Sequence, residues 1–147
     1  MSLPTSAGLV SDADHVELSR LLAEIAWRLD NHQARTVYEL ATEDVRFHVG
    51  PEPIVGRDAL KTWGEQFDQA DPLPGIRHSL SNARFVADGT DRAVSTSMLT
   101  AYFVPDDGAE AIVATAPFAV GEDHDTFVRT AEGWRIASRR WEQLFTR

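Results

Sequence analysis

A histidine and an asparagine stand at alternate positions of the run Ile76-Arg77-His78-Ser79-Leu80-Ser81-Asn82, directly after the loop-forming Asp71-Pro72-Leu73-Pro74-Gly75. Read at the period of a strand, Ile76, His78, Leu80, Asn82 and Val86 share one face, and Arg77, Ser79, Ser81 and Ala83 share the other. His78 and Asn82 therefore lie on an apolar face, where a polar group must find a partner or do a job. An imidazole titrates near neutral pH, so a carboxylate that fixed its tautomer would make His78 a general base. Without such a partner it reads as a core histidine hydrogen-bonded to a backbone carbonyl.

Asp30 is the first carboxylate to consider. It falls near the C-terminal end of the first predicted helix, where the macrodipole disfavours a negative charge and calls for compensation. Two placements answer that need. Asp30, or Asn31 beside it, caps a second helix; or Asp30 points under the helical layer and accepts the Nδ1 proton of His78. Periodicity does not choose between them. The other histidines read as bystanders: His15 and His32 sit at helix ends, and His48 alternates away from Val45, Phe47 and Val49. Asp30, His78 and His124 have no ligand-type spacing, so no metal is expected.

The elements that must position these residues follow in chain order. Residues 1–11 read as a mobile tail. Asp14 and Glu17 have capping-box spacing, and Leu18, Leu21, Leu22, Ile25 and Leu29 make residues 15–29 an amphipathic helix. A second helix is expected over 33–41, a strand over 45–49, a brief return at Ile54-Val55 and a third helix over 58–68, with Leu60, Trp63 and Phe67 inward. Long strands follow over 76–87, 92–104, 111–130 and 133–145, divided by short segments with glycine and acidic residues such as Pro105-Asp106-Asp107-Gly108. Helices first and a meander afterwards predicts an α+β fold, with helices on one face of a largely antiparallel sheet.

Composition narrows the function. At 147 residues, 43% hydrophobic and 25% charged, the chain reads as one globular domain. With no cysteine it has no disulfide framework, thiolate metal site or cysteine nucleophile. A net charge of −9 argues against nucleic acid and anionic membrane as partners. The start of the chain lacks the pattern of a signal peptide, and the longest apolar run, Ala111 to Val120, is too short to span a bilayer; a cytoplasmic protein is expected. Strand 92–104 is apolar on both faces, with Val94, Met98 and Tyr102 on one and Ala93, Leu99 and Phe103 on the other. That predicts a homodimer, or alternatively a homotrimer, through the back of the sheet.

The order of these pieces resembles the cone-shaped α+β fold of the nuclear transport factor 2 superfamily, and within it the SnoaL-like branch. The resemblance rests on Arg28-Leu29-Asp30, Thr42-Glu43-Asp44-Val45, Val55-Gly56-Arg57-Asp58-Ala59-Leu60, Arg77 to Asn82, Gly121 to Arg129 and Glu132-Gly133-Trp134-Arg135-Ile136-Ala137. It covers nearly the whole chain from about residue 12. It implies three helices packed on a strongly curved sheet that encloses a pocket. Scytalone dehydratase, bile-acid dehydratase and dehydrochlorinase-type members share an aspartate late in helix one and a histidine after helix three. Asp30 and His78 hold those positions, so the resemblance implies a cofactor-independent lyase or isomerase in which an Asp-oriented histidine takes a proton from carbon. An apolar pocket drawn from Leu22, Ile25, Trp27, Phe47, Trp63, Leu80 and Met98 would take a hydrophobic, aromatic or polycyclic molecule.

Dehydratases of this kind often carry a helix-one tyrosine, and Ile25 stands in its place here, with Trp27 nearby offering only an indole N–H. Asp123 stands where relatives often have a further tyrosine. Asn82, Tyr38 and Tyr102 are the candidate oxygen-directed donors. Two non-catalytic alternatives share the resemblance: a structural subunit like the β subunit of aromatic-ring dioxygenases, and a small-molecule-binding scaffold.

Overall fold

Helix α1 (Asp12–Asp30) opens on Ser11, whose hydroxyl accepts the Asp14 backbone N–H at 3.2 Å. The expected cap, Asp14, lies within the helix instead and is engaged elsewhere in the fold. In this computed structural model, residues 8–103 and 116–146 are described. A 3₁₀ helix (Ala34–Leu40) follows α1, shorter than the α-helix expected there. Then come β1 (Ala41–His48), β2 (Ile54–Val55), α2 (Arg57–Ala70), β3 (Arg77–Ala87), β4 (Arg92–Tyr102), β5 (Ala119–Thr130) and β6 (Gly133–Thr146). The turn expected at 105–108 and the strand start expected at 111 lie outside the described residues. Among the described residues, no helix is long and apolar enough to cross a membrane.

The strands form one sheet in the order β2-β1-β6-β5-β4-β3. β1 runs parallel to β6 and every other pair is antiparallel. The helices cover one face, as expected. Leu18, Leu22 and Ile25 of α1 are buried against Val45, Phe85, Phe127 and Ile136 of the sheet, which removes their apolar surface from water. Residues expected in the mobile tail join the edge: Leu9 bridges Val86, and the Val10 N–H reaches the Phe85 carbonyl at 3.3 Å.

Two local features set the shape around the site. In β3 the pairing with β4 slips between Ser81 and Arg84, and Asn82 takes a positive φ of 52°. The extra residue reverses the alternation, so Ala83 and Phe85 follow His78 and Leu80 inward, and the expected Asn82 and Val86 do not. Phe85 is 1% exposed, while Asn82 is exposed on the bulge. The second feature is Gly121, at a slip between β5 and β6. A β-carbon there would lie 2.2 Å from the Glu142 carbonyl oxygen and 2.6 Å from the Trp141 ring. Only glycine permits that approach.

The 3₁₀ helix is fixed from α2. A β-carbon at Gly64 would lie 2.2 Å from the Ala34 carbonyl oxygen, so the two helices touch through bare backbone. One turn on, Asp68 Oδ1 accepts the Ala34 N–H at 2.9 Å and Oδ2 accepts the Arg35 N–H at 3.1 Å. Asp68 is therefore the cap that was expected of Asp30 or Asn31. The Asn31 amide donates backwards, to the Trp27 carbonyl at 2.8 Å.

Candidate active site

Asp30 closes α1, His78 is the second residue of β3, and both oxygens of the one carboxylate go to the one histidine. Asp30 Oδ1 lies 2.5 Å from His78 Nδ1, and Oδ2 accepts the His78 backbone N–H at 2.8 Å. An ionised carboxylate only accepts, so Nδ1 carries the proton and Nε2 carries the lone pair. The side chains are 9% and 15% exposed respectively, so water competes little for the bond. The helix end that disfavours a negative Asp30 is compensated by Arg77, whose Nη1 donates to the Asp30 carbonyl at 3.2 Å and to the Ile76 carbonyl at 2.7 Å.

His78 lines a cavity of about 340 Å³ between the helices and the concave face of the sheet. Ala26 and Leu29 of α1 and Trp63 and Phe67 of α2 form its helical side. Phe47, Leu80, Leu99, Ala101 and Trp141 form much of its sheet side. The cavity lies in the curve of the sheet, as expected, and the six strands do not close into a barrel.

One part of this apolar cleft is charged. Asp123 and Arg139 also line it, and each is buried. Arg139 donates from Nε to Asp125 Oδ1 and from Nη2 to Asp125 Oδ2, both at 2.8 Å, a bidentate pair. Its Nη1 reaches no nearer to Asp123 Oδ2 than 3.5 Å, and that oxygen accepts no hydrogen bond. Ser97, opposite Asp123, and Ser95, opposite Asp125, are buried with hydroxyl oxygens that likewise have no partner. Burial pushes the Asp123 carboxyl up to about 6. The Arg139 charge works against that rise, Asp125 adds to it, and the His78 and His124 charges pull it down.

The sequence-predicted residues divide clearly. Phe47, Trp63, Leu80 and His78 line the cleft, with Asp30 behind His78. Leu22 and Ile25 are sealed in the core between α1 and the sheet, because the helix turns Ala26 and Leu29 toward the cleft instead. Trp27 is 51% exposed on the solvent side of α1. Tyr38 sits outside the cleft, with the Arg57 guanidinium and the Lys61 amine each 5.6 Å from its ring centre. Met98 and Tyr102 alternate away from Leu99 and Ala101, onto the outer face of β4. Of the three expected oxygen-directed donors, Asn82, Tyr38 and Tyr102, none reaches the cleft. His124 also faces outward, its Nε2 within 3.3 Å of Glu122 and 3.1 Å of Glu142, on the opposite side of β5 from the cleft that His78 lines.

From the sequence, Asp123 is noted only as standing where relatives often have a tyrosine, and Arg139-Arg140-Trp141 reads as long side chains at an interface or pocket rim; neither is expected as a buried charge in the cleft. Period two did carry a signal: Asp123 and Asp125 stand in phase with Phe127, which puts two carboxylates on a core-facing side. What the sequence did not reveal is that Arg139, the seventh residue of β6, binds one of them and leaves the other bare.

The chain matches the family model described as SnoaL-like domain over residues 12–140. Three solved structures share its fold. One is a protein described as a candidate scytalone dehydratase from Novosphingobium aromaticivorans, 20% identical with a TM-score of 0.74, covering 92% of this chain and 87% of that one. Another, from the same species, is an NTF2-like protein with a cystatin-like fold, 26% identical with a TM-score of 0.73, covering 90% of this chain and 82% of that one. A third, from Nostoc punctiforme, is a cystatin-like protein of unknown function, 19% identical with a TM-score of 0.76, covering 92% and 95%. No curated protein matches the chain.

Proposed function

The chain belongs to the SnoaL-like domain family, and from that premise we propose that it is a small-molecule lyase or isomerase working by proton abstraction at carbon. The observation that carries this reading is the two-point hold of Asp30 on His78 at the wall of an apolar cleft. With Nδ1 committed to Asp30, Nε2 is the ring nitrogen that can take a proton from a bound molecule, and Asp30 stabilises the imidazolium that results. The cleft supports a hydrophobic substrate: its aromatic walls hold a flat ring system by burial, while the polar groups at its floor orient the reacting carbon. A ketone with a hydroxyl on the β carbon suits this arrangement, because the carbonyl acidifies the C–H that His78 attacks.

The test uses 3-hydroxy-1-tetralone, a bicyclic β-hydroxy ketone whose loss of water gives fluorescent 1-naphthol. The wild-type chain is expected to speed naphthol formation, and His78→Ala to lose about 10²–10⁴-fold of that acceleration. Equal turnover by His78→Ala, or none by the wild type, overturns the proposal and leaves a binding scaffold.

A further inference from the structure

Resting on that reading, we propose that Asp123 is the proton donor of the site, the group that protonates the hydroxyl leaving from the substrate. The two buried carboxylates of β5, Asp123 at the cleft and Asp125 beyond it, have opposite surroundings. Asp125 receives two 2.8 Å hydrogen bonds from Arg139, so both of its oxygens are occupied by one guanidinium. Asp123 is 2% exposed, lines the cleft and keeps one oxygen without any hydrogen-bond donor. A buried carboxylate so poorly solvated is costly, and protonation relieves the cost. Its neutral form is then a donor, and the substrate in the cleft is the acceptor within its reach.

Among the described residues Asp123 is the one carboxylic acid that lines the cleft; Gln143 and the indoles of Trp63 and Trp141 line it too, but an amide or an indole gives up no proton here. Tyr38 and Tyr102 lie outside the cleft, and Asn82 is on the bulge. The charged groups that act on Asp123 are Arg139 on β6, Asp125 on β5 and His78 on β3, with His124 acting from the outer face of β5. Arg139 attracts the proton-free form and so makes Asp123 a better acid than burial alone would allow. Asp125 pins Arg139 at a distance that keeps this help partial.

The step balances without a cofactor. His78 Nε2 takes the proton from carbon, and the C–H electron pair becomes the new C=C bond. The C–O bond breaks with its electron pair going to oxygen, and that oxygen takes the Asp123 proton and leaves as water. The site is left as imidazolium and carboxylate, two opposite charges, and is reset when His78 releases a proton to water and Asp123 takes one up.

Two measurements on the full chain decide the matter. Carbon-13 NMR of protein labelled at the aspartate carboxyls should show one carboxyl titrating near 6, lost in Asp123→Asn and moved slightly upward in His78→Ala. The second uses 2-methoxytetralin, whose ether oxygen stands where the leaving hydroxyl would and can accept but not donate a hydrogen bond, with binding read from the fluorescence of Trp63 and Trp141 in the cleft wall. Its affinity should fall about tenfold from pH 5 to pH 8, the worth of one charge-relieving hydrogen bond. Asp123→Asn, whose amide still donates, should bind it with no pH dependence, while Asp123→Ala binds weakly throughout. Because Arg139 stays paired to Asp125 in both variants, neither removes the pair that orders this wall. The proposal is overturned if the Asp123 carboxyl titrates in the ordinary range, if wild-type affinity is flat with pH, or if the pH dependence survives in Asp123→Asn. Loss of that dependence in His78→Ala would assign it to the imidazole: Asp123 would then fall as donor while the histidine base stood. Undiminished hydroxytetralone turnover by His78→Ala removes the base instead.

Discussion

Asp30 holds His78 by two bonds of different kinds, one to the ring and one to the backbone N–H. The backbone bond fixes where the carboxylate sits, and the ring bond then fixes the tautomer. Asp30→Asn separates these roles. Its amide oxygen can keep the backbone bond, which leaves the NH₂ group facing Nδ1; Nδ1 must then be the acceptor and Nε2 carries the proton. A histidine in that tautomer cannot act as the base. Hydroxytetralone turnover is expected to fall about 10²–10⁴-fold in Asp30→Asn with the circular dichroism spectrum unchanged; turnover within a few-fold of wild type would separate the dyad from catalysis. The polar face of this pair was legible from the phase of His78 alone. Their meeting was not, because Asp30 and Asn31 are both plausible caps by local sequence, and only the packing of α2 through Gly64 brings Asp68 to that task and leaves Asp30 for His78.

Asp14 shows how the first helix is tied to the far end of the sheet. Its carboxylate accepts from both Nη1 and Nη2 of Arg129 at 2.9 Å and from the Trp134 indole N–H at 2.9 Å. The Arg129 hydrogen bonds, followed by that of Trp134, hold its pKa at about 2 instead of 3.8. A carboxyl depressed on folding stabilises the fold above its unfolded value and loses that contribution as pH falls toward the folded one. Urea denaturation of Asp14→Asn is therefore expected to show a loss of about 1–3 kcal/mol at pH 7. The gap from wild type should narrow between pH 4 and pH 2, and a gap constant through that interval would assign the effect to packing. At this scale the order of elements was readable, since helical and two-residue periods are carried by many side chains at once. The bulge at Asn82 was not: one inserted residue reverses a face, and its cause lies in the pairing with β4. The 3₁₀ helix escaped for the same reason, its length being set by Gly64 and Asp68 on another element.

The sheet as a whole has one face committed to helices and cleft and an outer face with apolar residues of its own. Val94 and Tyr102 on β4 are 37% and 42% exposed, and Leu144 on β6 is 46% exposed. A second copy covering this face would remove that surface from water, and a sheet face meets its own copy by a two-fold axis. Size-exclusion chromatography with light scattering is expected to give twice the mass of one chain; a single-chain mass would discard the dimer, and a threefold mass would give the trimer. Facing the cleft, meanwhile, Gly121 lines nothing, yet the missing side chain is what allows the Trp141 ring to lie against β5. The width of the chamber is thus governed from outside its own walls. A methyl group added at that position would meet the Glu142 backbone before the Trp141 ring, so a change there would part β6 from β5 beside Asp123, and the size of the chamber is locked to the pairing that carries the chemistry.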